Sequence, residues 1–433
     1  MGLVHATAMV VGIIVGASIF VQPSEITRLA PTTSGAMLAW LAAGALTLCG
    51  ALVCAELASV FTQTGGVYVF LKQVFSPSLG FLWGWGMFWS VHSGIIAALS
   101  VILARYVGYF VHLTDTGIRA LAILAILALS AIHYLSIRPG TALQVALTAI
   151  KLVAIAILVA LLFAYGGPAH RALPVSAENA VPSPAAWALA VGAGLFAFGG
   201  WHMVTYTAGE THEPARTIPR ALLIGTLIVT VSYMLLNAAY LYVLPLADVA
   251  RSTRVAADAV ERALGAHAGA ALAALVVVST LGSLNGIVLA GPRVYYAMAE
   301  DGLAFRWLGK VHQVRQTPHL AIAAQAVWSS VLVATNTYRE LFTRVVYTEW
   351  LFFALLAAGI FLLYHRGNYT PKFLGFAFPL VPAVSFLTSA AIAVNQIWAA
   401  PRDSFIGLGL LLLGLPVYFF WARRNTTKRA TTL

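Results

Sequence analysis

The sequence predicts an all-α membrane protein of twelve spans. Three observations carry that expectation: scarce charge, apolar stretches of span length recurring from end to end, and two glycine-interrupted spans lying five apart. Of the 433 residues, 61% are hydrophobic and 9% charged, against about 25% charged in soluble domains. Roughly 20 apolar residues carry a helix across the ~30 Å hydrocarbon layer. Such stretches fill the chain, each broken by Gly, Pro or a charge pair, and leave no room for a soluble catalytic domain. Residues 1–433 are therefore expected to form a single membrane domain.

Hydrophobic runs place the spans near 5–29, 36–60, 79–110, 119–137, 140–165, 185–208, 218–245, 268–299, 318–336, 342–364, 374–397 and 403–422. The longest polar connections are 166–184, 246–266 and 300–317. The net charge of +11 raises nucleic-acid binding as a possibility, but the basic residues are scattered over loops with no basic domain or stripe. That pattern is membrane topology and implies no nucleic-acid partner. Fourteen of the 25 Lys and Arg residues fall on one side, Lys72, Arg216, Arg220, Arg293, Arg366 and the tail cluster Arg423, Arg424, Lys428 and Arg429 among them. The positive-inside bias then puts both termini in the cytoplasm. Cys49 and Cys54 lie inside the second span, away from any extracytoplasmic disulfide. The first span lacks a basic flank and a small-residue cleavage site, and is read as retained.

The first interrupted span, Val11-Gly-Ile-Ile-Val-Gly-Ala-Ser-Ile-Phe20, places Gly12, Gly16, Ala17 and Ser18 mid-membrane with Pro23 after them. The sixth, Gly192-Ala-Gly-Leu-Phe-Ala-Phe-Gly-Gly-Trp201, does the same with Gly194, Gly199 and Gly200. Glycine weakens a helix interior by about 1 kcal/mol and lets the backbone leave helical geometry. Bare backbone groups at that depth must face protein or a watery cavity. An odd offset of five makes the two halves a 5+5 inverted repeat, 1–165 and 185–365, with two extra C-terminal helices over 374–422. Interrupted spans at matching positions point to a midplane binding site. Half-helix N-termini suit a carboxylate and freed carbonyls an ammonium, so a zwitterion fits. The competing explanation is that small residues merely allow close helix packing.

These motifs, taken in order along the chain, resemble the amino acid–polyamine–organocation (APC) superfamily and in particular its L-type amino-acid transporter (LAT)-like branch. The first-span match is Gly16-Ala-Ser-Ile-Phe20, and the sixth-span match Phe196-Ala-Phe-Gly-Gly-Trp201 is followed by Glu210 and Glu213-Pro-Ala-Arg-Thr-Ile-Pro-Arg220. Further matches are Ala55-Glu-Leu57, Gly65-Gly-Val-Tyr68, Gly282-Ser-Leu-Asn-Gly286, Met298-Ala-Glu-Asp-Gly302 and Thr317-Pro318. The resemblance implies a LeuT-type fold and a plasma (inner) membrane permease for L-amino acids, neutral ones favoured, working by exchange or secondary active transport. It implies that amides around Gly16, Ala17, Ser18 and Ile19 hold the substrate carboxylate. Carbonyls of Ile14, Phe196 and Ala197 would hold its ammonium, and Phe196 would close over it. Gly199 and His202 would border the side-chain pocket, Phe198 is a further substrate-binding position, and Asn285 would sit in the eighth-span motif beside the first helix. Ala17 and Ser18 stand where the family usually has Ser and Gly, and His202 where several relatives have a small polar amide.

Lys151, early in the fifth span, is costly enough at membrane depth to be a functional residue. Sodium-coupled members of this fold bridge the first and eighth spans with a cation. The resemblance implies that Lys151 puts an ammonium there and that no sodium is needed. Snorkelling to the cytoplasmic interface is the alternative. Glu56 and Glu210 are expected to cap or pair at the cytoplasmic face. His92 reads as a satisfied interior histidine, and Glu349 beside Thr348 and Trp350 could reach an outer vestibule. His212-Glu213 has no second histidine at metal-ligand spacing, Gly16-Ala-Ser18 has no partnered base, and no Walker loop is present. No enzyme activity, cofactor or metal is expected. A polyamine or organic-cation carrier is the runner-up, disfavoured by a midplane poor in acids. A membrane-embedded receptor or enzyme is the third reading. The connection 111–118 contains no cysteine, so a disulfide-linked heavy subunit is not expected. The short termini fit a stand-alone protein whose partners are an amino acid and the lipid bilayer.

Overall fold

A computed structural model describes residues 1–20, 22–135, 137–167, 183–265, 268–335, 337, 344–366, 369–375 and 377–430. Most of the 166–184 connection and the expected start of the tenth span near 342 lie outside these residues, as do the side chains of Arg138, Arg424, Lys428 and Arg429. Among the described residues every regular element is helical. Ten helical stretches are long and apolar enough to cross a membrane, and two shorter apolar helices, Leu3–Ile14 and His319–Thr335, fall at the expected first and ninth spans.

The first span is α1 (Leu3–Ile14), a break, a short 3₁₀ turn over Ser18–Phe20 and α2 (Gln22–Leu29). The second is α3 (Thr33–Val60), capped by Thr32, whose hydroxyl accepts from the Gly35 amide at 2.9 Å. A short α4 (Val67–Val74) precedes the third span. That span comprises α5 (Pro77–Gly86), one π turn over Met87–Val91, and α6 (His92–Val107). Next come α7 (Asp115–Leu135) and α8 (Ile137–Tyr165). The sixth span is α9 (Pro184–Ala197), a break at 198–200 and a 3₁₀ segment over Trp201–Glu210. The seventh, α10 (Pro214–Val243), is followed by two short helices in the polar connection, α11 (Leu246–Arg251) and α12 (Val255–Leu264). Then follow α13 (Gly269–Ala290), α14 (Pro292–Glu300), α15 (His319–Thr335), α16 (Thr348–His365), α17 (Leu380–Ala399), α18 (Pro401–Leu412) and α19 (Gly414–Ala430).

Without a hydrophobic force between helices in lipid, close approach of small residues sets the packing. A Cβ on Gly44 of α3 would lie 2.6 Å from Thr230 of α10, and one on Gly225 of α10 would lie 2.6 Å from Val10 of α1. Those contacts draw spans one, two and seven together, while α13 packs against α6 and α8. The two readings of the interrupted spans divide by residue. Gly12 and Gly194 remain helical and serve packing: Cβ atoms there would meet Gln144 at 2.0 Å and Ala43 at 2.7 Å. The first and sixth spans lose regular helical geometry around Val15–Ala17 and Phe198–Gly200. Gly200 carries φ +98° with Ile13 packed 2.5 Å from its Cβ position, so no other residue fits there.

Glu56 is fully buried. Its carboxylate accepts the amides of Lys372 (2.8 Å), Phe373 (2.7 Å) and Leu374 (2.7 Å) and the Tyr369 hydroxyl. The end of α3 is thereby fixed to the connection between α16 and α17. Burial, with the Glu56 carboxylate beside it, pushes the Tyr369 phenol up from its ordinary range and keeps it a donor. Glu56→Ala strands three amides, that of Leu374 buried, and is expected to lower stability by about 3 kcal/mol. Tyr369→Phe removes one donor and should cost about 1 kcal/mol. Thermal unfolding of the two variants in detergent, followed by fluorescence, checks that order.

Candidate functional site

Both chain breaks open onto one cavity of about 320 Å³. Its walls come from the first, third, sixth, eighth and tenth spans. The third span contributes Ile95, Ala98, Leu99 and Ile102, a helical stripe at i, i+3, i+4 and i+7. Ile14, Gly16, Ala17, Ser18, Phe196, Ala197, Gly199 and His202, singled out from the sequence, are brought together on this lining. A second depression of about 400 Å³ lies beside Trp85, Trp89 and Trp328. It meets neither break.

The freed carbonyls have defined partners. The Lys151 ammonium, fully buried, donates to the carbonyls of Gly12 (2.9 Å), Val15 (2.7 Å) and Ser279 (2.9 Å). Three donors meet three acceptors, so the charge is fully hydrogen-bonded without a carboxylate. Ser279 and Ser283 add hydroxyl bonds to the Val15 carbonyl at 3.0 and 3.1 Å, and Ser283 reaches the Gly12 carbonyl at 2.9 Å. Gly282 makes room for the ammonium, since a Cβ there would lie 2.8 Å from Nζ. Lys151 therefore bridges the first and eighth spans from the fifth, and it does not snorkel.

On the other side of the break, the Tyr233 hydroxyl lies 3.0 Å from the Ile14 carbonyl and 3.2 Å from the Ala197 carbonyl. One buried phenol of the seventh span thus joins both interrupted helices. Its ring packs edge-on to Trp40 at 5.6 Å and against Phe198 at 4.9 Å. Nothing in the local sequence around Tyr233 distinguishes it from other aromatic residues of an amphiphilic span; only the fold reveals its reach.

Three expected positions fall outside the cavity. Phe198 turns away into the Trp40–Tyr233 cluster, and Ile19 is fully buried in the 3₁₀ turn. Asn285 stands about 200° around its helix from Ser283 and so faces the opposite side. There it meets His133 Nε2 at 3.0 Å and donates to Gln144 Oε1 at 2.7 Å and the Gly140 carbonyl at 3.3 Å. Gln144 and Thr148 in turn donate to the Ala8 carbonyl at 3.4 and 2.9 Å, so Asn285 braces the rear of α1. Phe196 reaches the lining with its ring half exposed, at 52%. Its carbonyl accepts from the Gly199 amide at 3.2 Å. The Gly16 amide is likewise turned onto the Ile14 carbonyl at 2.8 Å.

Glu349 and Trp350 of the tenth span also line the cavity. Glu210 forms a two-point pair with Arg293, at 3.0 and 2.7 Å. His92 Nδ1 meets the Tyr295 hydroxyl at 3.1 Å. Cys49 and Cys54 are free thiols.

A family model described as amino acid permease matches residues 1–419. The chain belongs to the amino acid permease family. It is a multi-pass membrane transporter and not an enzyme. The permease is similar to the human large neutral amino acids transporter small subunit 2, at 30% identity over 98% of this chain and 81% of that protein. It is 29% identical to the serine/threonine exchanger SteT of Bacillus subtilis (strain 168), over 98% of this chain and 97% of SteT. It is also 29% identical to the human b(0,+)-type amino acid transporter 1, over 97% and 87%.

Tyr233→Phe deletes the hydroxyl that joins the two breaks and leaves the aromatic packing in place. Uptake by the permease in proteoliposomes is expected to fall about tenfold, the value of one or two buried hydrogen bonds. The thermal midpoint should shift by only a few degrees.

Proposed function

We propose that this permease moves L-amino acids, neutral ones foremost, by sodium-independent alternating access, and that it works as an exchanger. The observation that carries the reading is the meeting of two broken spans at one cavity, with freed carbonyls held by Lys151 and Tyr233. The amides of Ala17 and Ser18 at the cavity wall would receive the carboxylate. The carbonyl edges of Ile14, Phe196 and Ala197 would receive the ammonium, displacing or sharing the Tyr233 hydroxyl. Relatives named as a neutral amino acid transporter and a serine/threonine exchanger support the substrate class and the mode.

The proposal includes a LeuT-type arrangement of twelve spans, with repeats over 1–165 and 185–365 and two further helices over 374–422. Spans one, two, six and seven would rock against spans three, four, eight and nine around the cavity. Both termini would face the cytoplasm at the plasma membrane. With Cys49 and Cys54 both in the second span and no cysteine in 111–118, no disulfide-linked heavy subunit is needed.

Sodium independence rests on Lys151. Its ammonium already neutralises the carbonyl-rich gap between the first and eighth spans that a cation would otherwise fill. Lys151→Ala is expected to reduce uptake to about 1% of wild type or less, because three carbonyls lose a charged donor. Fluorescence-detected chromatography should still show a folded protein, and unchanged kinetics would remove Lys151 from the mechanism.

The functional test is counterflow of a labelled amino-acid panel in proteoliposomes. Uptake should require internal amino acid, persist when choline replaces sodium, and select the L-enantiomer. Absence of uptake across the panel by a folded preparation would refute the proposal.

A further inference from the structure

The cavity has one polar corner that neither the backbone breaks nor Lys151 occupies. Glu349, in the first turn of α16, and His202, in the 3₁₀ half of the sixth span, both line it. The His202 ring is 1% exposed and neither of its nitrogens has a hydrogen-bond partner. Trp83, Trp201, Tyr206 and Phe353 surround that ring with centroids 5.1–5.7 Å away and edge-on contacts. Glu349 Oε1 is likewise buried without a hydrogen-bond partner, its side chain 14% exposed. Among the described residues the basic side chain within 4 Å of it is His202, with Nε2 at 3.9 Å, too far for a hydrogen bond. Lys151 is committed to three carbonyls and Arg344 to Asp403, so neither serves Glu349.

Buried polar side chains normally have partners, and each exception calls for a reason. Here two exceptions stand 3.9 Å apart at one corner of a cavity large enough for a small molecule. Glu349 presents at least one acceptor oxygen to the cavity in either protonation state. We propose that Glu349, assisted by His202, recognises the substrate side chain. The permease would then select amino acids whose side chain ends in an N–H or O–H donor over apolar isosteres. This deepens the reading given under Proposed function and rests on it. An apolar side chain would leave the carboxylate desolvated and unpaired, whereas a hydroxyl, amide or ammonium would complete it. Sites built around a substrate hydrogen bond discriminate against the analogue lacking it far more strongly than apolar pockets discriminate by size.

The test measures binding to the purified permease by ligand-induced thermal stabilisation, using isosteric pairs: asparagine and leucine, threonine and valine, glutamine and methionine, with lysine as the cationic arm. Each donor-bearing member is expected to bind about 10- to 100-fold more tightly than its apolar partner. Glu349→Leu should abolish or invert the preference. Glu349→Gln, which preserves shape and removes the buried charge, should retain the neutral donors and lose any lysine binding. Tight lysine binding by the wild type would support the assignment and mark the carboxylate as ionised; a preference for asparagine and glutamine alone would support it with neutral substrates. Leucine, valine and methionine binding as well as their partners, in the wild type and in both variants alike, would overturn the inference while leaving amino-acid transport intact. A flat response to every amino acid would refute the amino-acid reading itself and this inference with it.

Discussion

A backbone carbonyl at membrane depth has no water to turn to, and each one left unsatisfied costs several kcal/mol. Breaking a spanning helix therefore requires other groups to take over its hydrogen bonds, and much of the interior here follows from that demand. The break after Ile14 is held from one side by Lys151, Ser279 and Ser283 and from the other by Tyr233. The same Tyr233 reaches the carbonyl at the second break. These side chains come from the fifth, seventh and eighth spans, so the break in the first span specifies its neighbours on three sides. Gly282 faces Lys151 and Gly16 faces Ser283, and the room those polar groups occupy keeps both positions small.

The interior is accordingly polar in a directed way. Lys151 has three carbonyls and no carboxylate around it, an arrangement that satisfies every donor and avoids the desolvation cost of a second buried charge. Asn285, His133, Gln144 and Thr148 form a second layer behind α1 that brings no group to the cavity. One layer holds the gap between the first and eighth spans, and the other keeps α1 straight while the chain beyond Ile14 departs from it.

Much of this was legible in the sequence, and the unreadable part has a common cause. Charge scarcity and apolar length place the spans, and the paired glycine-rich segments locate the breaks to within a few residues. Lys151 stood out because an ammonium in an apolar run has no bland explanation short of snorkelling. Periodicity, however, does not fix rotation about a helix axis against distant neighbours. Asn285 belongs to the right motif and faces the wrong side; Phe198 sits at the break and points into the Trp40 cluster. Tyr233 carries no local signal, because its role depends on two carbonyls distant in sequence. Glu349 and His202 are individually odd, but only the fold shows that both lack partners and share a corner. Gly12 and Gly194 looked like break residues and are packing residues, since glycine serves either purpose until the neighbouring helix is known.

An alternating-access carrier also needs its two groups of spans held together weakly enough to separate. One ionic tie crosses between the groups proposed here, and a second joins the end of the eighth span to the helix that leads into the third. Glu210, closing the sixth span, grips Arg293 of α14 by two bonds. Asp301, just beyond α14, takes Lys72 and Tyr68 of α4, each at 2.6 Å. The second tie is partly exposed, and such pairs contribute roughly 0–1 kcal/mol. The first is bidentate with Arg293 buried, and charge-assisted two-point pairs are the stronger kind. Carriers that populate two states separate them by only a few kcal/mol, a gap that one strong pair can set. The buried hydrogen bonds of Glu56, by contrast, fix α3 to the connection before α17, outside that crossing tie. Parting the two proposed groups of spans would therefore mean breaking the two bonds between Glu210 and Arg293.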